Sequence, residues 1–176
     1  MADDIHRPPA QYRWIHGTAA GRLAIMPCPR SGIHLAHDIG ALRAAGVSVV
    51  VSLLEPDEER RLGLADESGE CRRHDMDYLS FPVPDFGVPA DEDGAFALAG
   101  SLALRIARGE TIVIHCRGGI GRSSMIAAAV MIRGGICLHD ALASIAAARG
   151  RHVPETGAQK DWIEHFSTLH GASCRI

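Results

Sequence analysis

The chain has 176 residues, is 47% hydrophobic and 22% charged, and carries a net charge of −3. These figures suit one soluble globular domain with a core of ordinary size. The slightly acidic balance removes any ground for nucleic acid or an anionic membrane as a bulk partner, so attraction for an anion must be local.

The opening residues, Met1 to Ala10, contain no apolar stretch of the kind a secretory signal needs. No window approaches the run of about eighteen apolar residues that spans a bilayer. The five cysteines are odd in number and form no C-x-x-C pair. Neither a disulfide framework nor a zinc site is expected, and reduced thiols in the cytoplasm are the default. A flexible arm over residues 1–11 and a single domain over 12–176, acting as a monomer, complete this reading.

In chain order, residues 12–15 and 23–26 are predicted as short strands separated by the turn Gly17 to Gly21. Asp38 is placed as the cap of a short helix ending at Gly46. Residues 47–53, rich in valine, read as a fully buried strand. A charged helix over 57–64, exposed on one face, is followed by a strand over 77–81. The proline-punctuated run Pro82 to Pro89 must be irregular. A helix over 91–108, a strand over 111–115 and three helices near 122–133, 138–148 and 155–169 close the chain. Such an order implies an α/β fold, a mixed and mostly parallel central sheet with helices on both faces.

The most informative segment is Ile114-His-Cys-Arg-Gly-Gly-Ile-Gly-Arg-Ser-Ser124. Cys116 and Arg122 stand six residues apart, with three glycines between them, where a strand gives way to a helix. A glycine loop entering a helix N-terminus makes a cup of backbone N–H groups suited to a phosphate. Arg117, Gly118, Gly119, Ile120, Gly121 and Arg122 would line it. Cys116 lies at its mouth, where a helix N-terminus and a cation both favour a thiolate nucleophile. The planar fork of Arg122 can grip two oxygens and keeps its charge. Ser123 can donate a hydrogen bond to the sulfur, which helps when the thiolate leaves. His115 is read as ordering the loop rather than as a base. Six residues after Cys28, Cys71 and Cys137 stand His34, Asp77 and Ala143, so only Cys116 makes the match. The chemistry indicated is phosphomonoester hydrolysis through a phosphocysteine, needing no metal or cofactor.

A leaving group needs a proton donor. Asp85 lies between prolines, 31 residues before Cys116, in a loop joining a strand to a helix. It is either that donor or a turn aspartate without chemistry. Asp91 and Asp93 fit helix capping better.

These residues resemble those of the protein-tyrosine phosphatase superfamily. The short loop His115 to Ser123 looks like the dual-specificity branch, and within it like the kinase-associated phosphatases. The likeness covers roughly residues 14–166. It implies the cysteine-based phosphatase fold, Cys116 as nucleophile, Arg122 as phosphate clamp, Asp85 as general acid and Ser123 as aid to phosphocysteine breakdown. Pro154 to Trp162 is similar to a family segment in which a threonine and a glutamine stand three apart. This implies Gln159 at the border of the site, placing the hydrolytic water.

The expected substrate is a phosphorylated protein or peptide. With only Tyr12 and Tyr78 present, no tyrosine loop deepens the pocket, and apolar Ile120 disfavours a phosphoinositide. A small-molecule or phosphoinositide phosphatase remains the alternative. A sulfurtransferase or a non-catalytic phosphoprotein-binding module ranks lower. Cys28 and Cys71 are read as packing thiols, and Arg149, Arg151 and His152 as complements of a helix C-terminus.

Overall fold

In the computed structural model, residues 11–18 and 20–170 are described; residues 1–10 of the arm expected over 1–11, and Cys174, lie outside them. Five strands form one sheet, β1 (Arg13–Ile15), β2 (Arg22–Pro27), β3 (Val49–Ser52), β4 (Asp77–Ser80) and β5 (Thr111–Cys116), in the order β1-β2-β5-β3-β4. Only β1 runs antiparallel; β2, β5, β3 and β4 pair in parallel. Strands β3 and β5 are buried throughout, as expected for near-continuous apolar runs covered on both faces.

Helix α1 (Leu35–Ala44) and the short α2 (Pro56–Arg61) and α3 (Glu67–Arg73) come before β4. Helices α4 (Glu92–Ala107), α5 (Arg122–Arg133), α6 (Leu138–Arg149) and α7 (Gly157–His170) follow it. One apolar layer joins Ile112, Ile114 and Cys116 to α4, α5, α6 and α7. The other joins Ala24, Val50 and Val113 to Leu35 and Ile39 of α1 and Cys71 of α3. The mixed, mostly parallel sheet with helices on both faces is therefore present. No helix among the described residues is long and apolar enough to cross a membrane.

Helix α5 is the hub. From Arg122 to Ile132 every residue is buried, and its alanines let α4, α6 and α7 pack around it. Its start therefore cannot drift relative to the sheet.

Three local expectations change. Asp38 does not cap α1; a 3₁₀ turn at Gly32–His34 leads straight into the helix, and Asp38 is buried in its first turn. There it takes the Arg30 backbone amide at 3.0 Å and the Arg30 guanidinium at 2.6 Å. Helix α2 ends at Arg61, three residues short of the expected end. Helix α3 was not expected, because Glu67-Ser-Gly-Glu-Cys-Arg-Arg73 carries a central glycine and no apolar period. Asp91, by contrast, caps α4 by accepting from the Gly94 amide at 2.8 Å.

Candidate active site

Alternation along β5 sends Cys116, Ile114 and Ile112 to one face of the sheet and His115 and Val113 to the other. After Cys116 the chain folds back as the loop 117–121 and enters α5 at Gly121. The Gly119 amide donates to Cys116 Sγ at 3.2 Å, and Ser123 Oγ lies 3.6 Å from the same sulfur. The loop rests on the end of β2, with the Cys28 amide donating to the Arg117 carbonyl at 3.3 Å. Gly119 has a φ of +66°, and a Cβ there would stand 2.3 Å from the Met26 carbonyl carbon. The backbone bends that tightly only because residue 119 has no side chain.

Arg122, the first residue of α5, is almost wholly buried, and its guanidinium is bound on several sides. Glu58 of α2 accepts from Nη1 at 2.6 Å and from Nη2 at 3.1 Å. The Val83 carbonyl accepts from Nη1 at 3.0 Å. Asp85 Oδ1 lies 2.8 Å from Nη2. Burial works against the guanidinium charge, but Glu58, the Cys116 sulfur and Asp85 outweigh it and push its pKa up. Burial also raises the Glu58 carboxyl. The Arg122 hydrogen bonds, the Glu55 amide and the charges of Arg122 and Arg117 overcome that and hold it below the usual carboxylate range. Glu58 did not emerge from the sequence, where it is one of five consecutive charges. Its available signal was Pro56 at the helix start, with Glu58 turned back to accept from the Glu55 amide at 3.2 Å.

The irregular run 82–89 brings Asp85 to Arg122, although the two are far apart in sequence. Phe86, exposed, takes a left-handed φ of +58°, uncommon for a residue with a side chain. Its amide donates to Asp85 Oδ1 at 3.2 Å. Two residues near the start of α7 latch the loop. Thr156 Oγ1 donates to the Phe86 carbonyl at 3.3 Å, and Gln159 Nε2 donates to the Gly87 carbonyl at 3.1 Å. Gln159 is fully buried, and its Oε1 accepts the Glu155 and Thr156 amides at 3.2 and 3.3 Å. A Cβ on Gly121 would come within 2.7 Å of that oxygen, so Gln159 borders the loop at its junction with α5.

His115 does not face the loop. Its ring enters the opposite apolar layer, where Nε2 lies 3.0 Å from Glu67 Oε1, both side chains wholly buried. The two stand at contact distance without an aligned hydrogen bond. Nearby Cys71 is pushed up to about 12, first by burial and then by the charges of Glu67 and Glu70, which leaves it an unreactive thiol at neutral pH. No disulfide links the described cysteines. No group of three or more His, Cys, Asp or Glu among the described residues is arranged to hold a metal.

An acidic loop residue, a buried arginine and a sulfur that accepts from the Gly119 amide thus meet at one strand end. The arrangement can hold a tetrahedral oxyanion over a nucleophile. A cleft of about 440 Å³ between α4 and the end of α5, lined by Phe96, Leu104 and Arg133 among others, shares no residue with it.

Known proteins resemble this chain in sequence or in fold. Cyclin-dependent kinase inhibitor 3 of Rattus norvegicus is 30% identical over 87 residues, 48% of this chain and 41% of that protein's own length. The crystal structure of kinase-associated phosphatase, with its catalytic-site cysteine changed to serine, superimposes with a TM-score of 0.83. That match is 17% identical and covers 97% of this chain and 100% of that one. Tk-PTP in its active form gives 0.69 at 24% identity over 89% of this chain and 96% of its own. PTPMT1 gives 0.71 at 23% identity over 90% and 95%. At these identities the structural matches establish the fold. The family model described as "Polymorphic toxin system, DSP-PTPase phosphatase" matches residues 24–136, well over half the chain, with Cys116, Arg122 and Asp85 inside the match. This chain belongs to that DSP-PTPase phosphatase family.

Proposed function

We propose that the chain hydrolyses phosphomonoesters on proteins or peptides through a phosphocysteine at Cys116. The observation that carries this reading is the convergence on one sulfur of the Gly119 amide and the Ser123 hydroxyl, beside an arginine that Glu58 already aligns.

In the first step the Cys116 thiolate attacks phosphorus in line. The S–P bond forms as the P–O bond to the leaving group breaks, and Asp85 gives its proton to the departing oxygen. Arg122 takes equatorial oxygens while the loop amides of residues 117–122 take the rest. Glu58 keeps its grip on the guanidinium throughout, and the incoming phosphate takes the place at Nη2 that Asp85 holds without substrate. In the second step the Asp85 carboxylate accepts a proton from water as its oxygen attacks phosphorus. The S–P bond breaks, and Ser123 donates to the thiolate that leaves. Gln159 holds the acid loop through Gly87 and borders Gly121, from where it would help to place that water. No step calls for a metal or cofactor.

The enzyme would act as a monomeric single domain in the reducing cytoplasm, where its nucleophile stays a thiol. Hydrolysis of para-nitrophenyl phosphate in EDTA, wild type beside Cys116→Ser, tests the reading. Vanadate-sensitive turnover that the substitution abolishes is expected. Absence of turnover in the reduced wild type would overturn it in favour of a phosphoprotein-binding module.

A further inference from the structure

Glu67, the first residue of α3, and His115, the residue before Cys116, are wholly buried and have no part in the steps above. Their contact, Nε2 to Oε1 at 3.0 Å, lies in the apolar layer across the sheet from the sulfur. None of the four polar atoms of the two side chains makes a hydrogen bond. Neighbouring acids are served: Asp38 by Arg30 at 2.6 Å, Glu59 by the Ser52 and Tyr78 hydroxyls at 3.2 and 3.0 Å, and Glu70 by Arg73 at 2.6 Å. Burying a carboxyl and an imidazole with only each other for company costs stability. Apolar side chains of like volume in their place are commonly neutral or better. The rest of the layer follows that rule, with Val113 on the same face of β5 and Leu64, Cys71 and Met76 around α3. The exception falls beside the nucleophile.

The sheet ends there as well. β5 pairs with β3 as far as His115, whose carbonyl takes the Leu53 amide at 3.0 Å. Opposite Cys116 on β2 stands Pro27, which has no N–H to give. The place of the sulfur therefore depends on how firmly His115 is held. Its ring is met from the far side by Glu67, on a helix that apolar packing fixes to the sheet. The phosphate cradle has supports of its own, Arg122 in the buried start of α5 and the Cys28 amide on the Arg117 carbonyl. The pair thus bears on the sulfur rather than on the cradle.

Resting on the phosphatase reading above, we propose that Glu67 is a positioning residue for the attack by Cys116. It acts through His115, holding the residue that ends the pairing of β5 with β3 so that the sulfur stays in line with phosphorus. Stability is given up in the core for alignment at the site.

The test measures para-nitrophenyl phosphate turnover and thermal unfolding for Glu67→Leu, Glu67→Gln, His115→Leu and the double variant Glu67→Leu/His115→Leu. In Glu67→Leu, kcat is expected to fall about tenfold or more, within the roughly hundredfold that a misplacement of about 1 Å costs. KM should stay within about twofold, because the cradle still binds phosphate, and Tm should be unchanged or higher. Glu67→Gln, which keeps an acceptor in the same place, should retain more of kcat. Since Glu67 acts through His115, the double variant should lose no more than His115→Leu alone. A folded Glu67→Leu with kcat within about twofold of wild type would overturn the proposal, as would losses that multiply in the double variant. Should Glu67→Leu fail to fold, Glu67→Gln takes its place in the cycle. If the reduced wild type shows no turnover, the phosphatase reading falls. The rate at which iodoacetate alkylates Cys116, followed on its peptide by mass spectrometry, then decides the positioning: slower alkylation in Glu67→Leu upholds it, and an unchanged rate overturns it.

Discussion

Glu58 holds Arg122 by both carboxylate oxygens, Oε2 to Nη1 at 2.6 Å and Oε1 to Nη2 at 3.1 Å, in a contact almost closed to water. A free arginine would lose rotamer entropy on meeting a phosphate; here that ordering is done in advance by α2. The same contact ties α2, the Val83 end of the acid loop and the start of α5 into one unit.

Removing one partner of a buried pair costs about 3–5 kcal/mol, chiefly by stranding the other charge. Glu58→Ala should therefore lower urea-unfolding stability by that order. Glu58→Gln, which keeps one acceptor, should lose less stability yet still lower kcat more than it raises KM, because Arg122 is no longer aligned. Unchanged kcat in a folded Glu58→Gln would show that Arg122 needs no alignment.

Acid should unfold the protein through carboxyls whose pKa values are depressed by folding. Glu58 and Asp38 are both held below their ordinary range: burial raises each, and hydrogen bonds and charges from Arg122 and from Arg30 more than reverse it. Their contribution is complete above the unfolded carboxyl range of about pH 4. It is lost as pH falls below that, through the lowered native values. Stability measured from pH 7 down to 2 should fall over this acidic window. In Glu58→Gln the slope should be shallower, since one fewer proton is taken up on unfolding.

Asp85→Asn removes the proposed proton donor while keeping the shape of the loop. Loss of about 10²–10⁴ in kcat is expected for an alkyl phosphate or a phosphopeptide, and much less for para-nitrophenyl phosphate, whose leaving group needs little help. The wild-type pH–rate profile should be bell-shaped, because a thiolate and a protonated acid must coexist. Asp85→Asn should lose the alkaline limb. A variant that hydrolyses both ester classes at the wild-type ratio would remove Asp85 from the chemistry.

Gly119→Ala should disrupt the loop. The new methyl would meet the β2 backbone at 2.3 Å with φ at +66°, so the loop amides must shift away from Cys116. Loss of vanadate binding by titration calorimetry, with the far-UV circular dichroism unchanged, is the expected signature.

The phosphate loop was legible because its chemistry is local: strand, glycine turn and helix start follow one another within eleven residues. Asp85 was legible in part, since flanking prolines set its loop apart, though nothing in the sequence says that the loop folds onto Arg122. Glu58 and Glu67 were not legible. Each lies in a charged stretch where only tertiary packing decides which carboxylate turns inward. Arg149 reads in sequence as an ordinary cation at a helix end, and only the fold carries it to Gly118. His115 was misread for a related reason. Adjacency to Cys116 suggests the same neighbourhood, whereas the pleat of β5 puts the two on opposite sides of the sheet.

The latch of the acid loop onto α7 bears on how small a working unit can be. The family match stops at Ile136, while Thr156 and Gln159 lie some twenty residues further on. A fragment cut at that boundary would retain Cys116, Arg122 and Asp85. It would also bare the flanks of α5 that α6 and α7 cover and leave Phe86 and Gly87 without anchorage. Helices α6 and α7 therefore act as the far jaw of a vice, and cutting them away would dismantle the site without removing Cys116, Arg122 or Asp85.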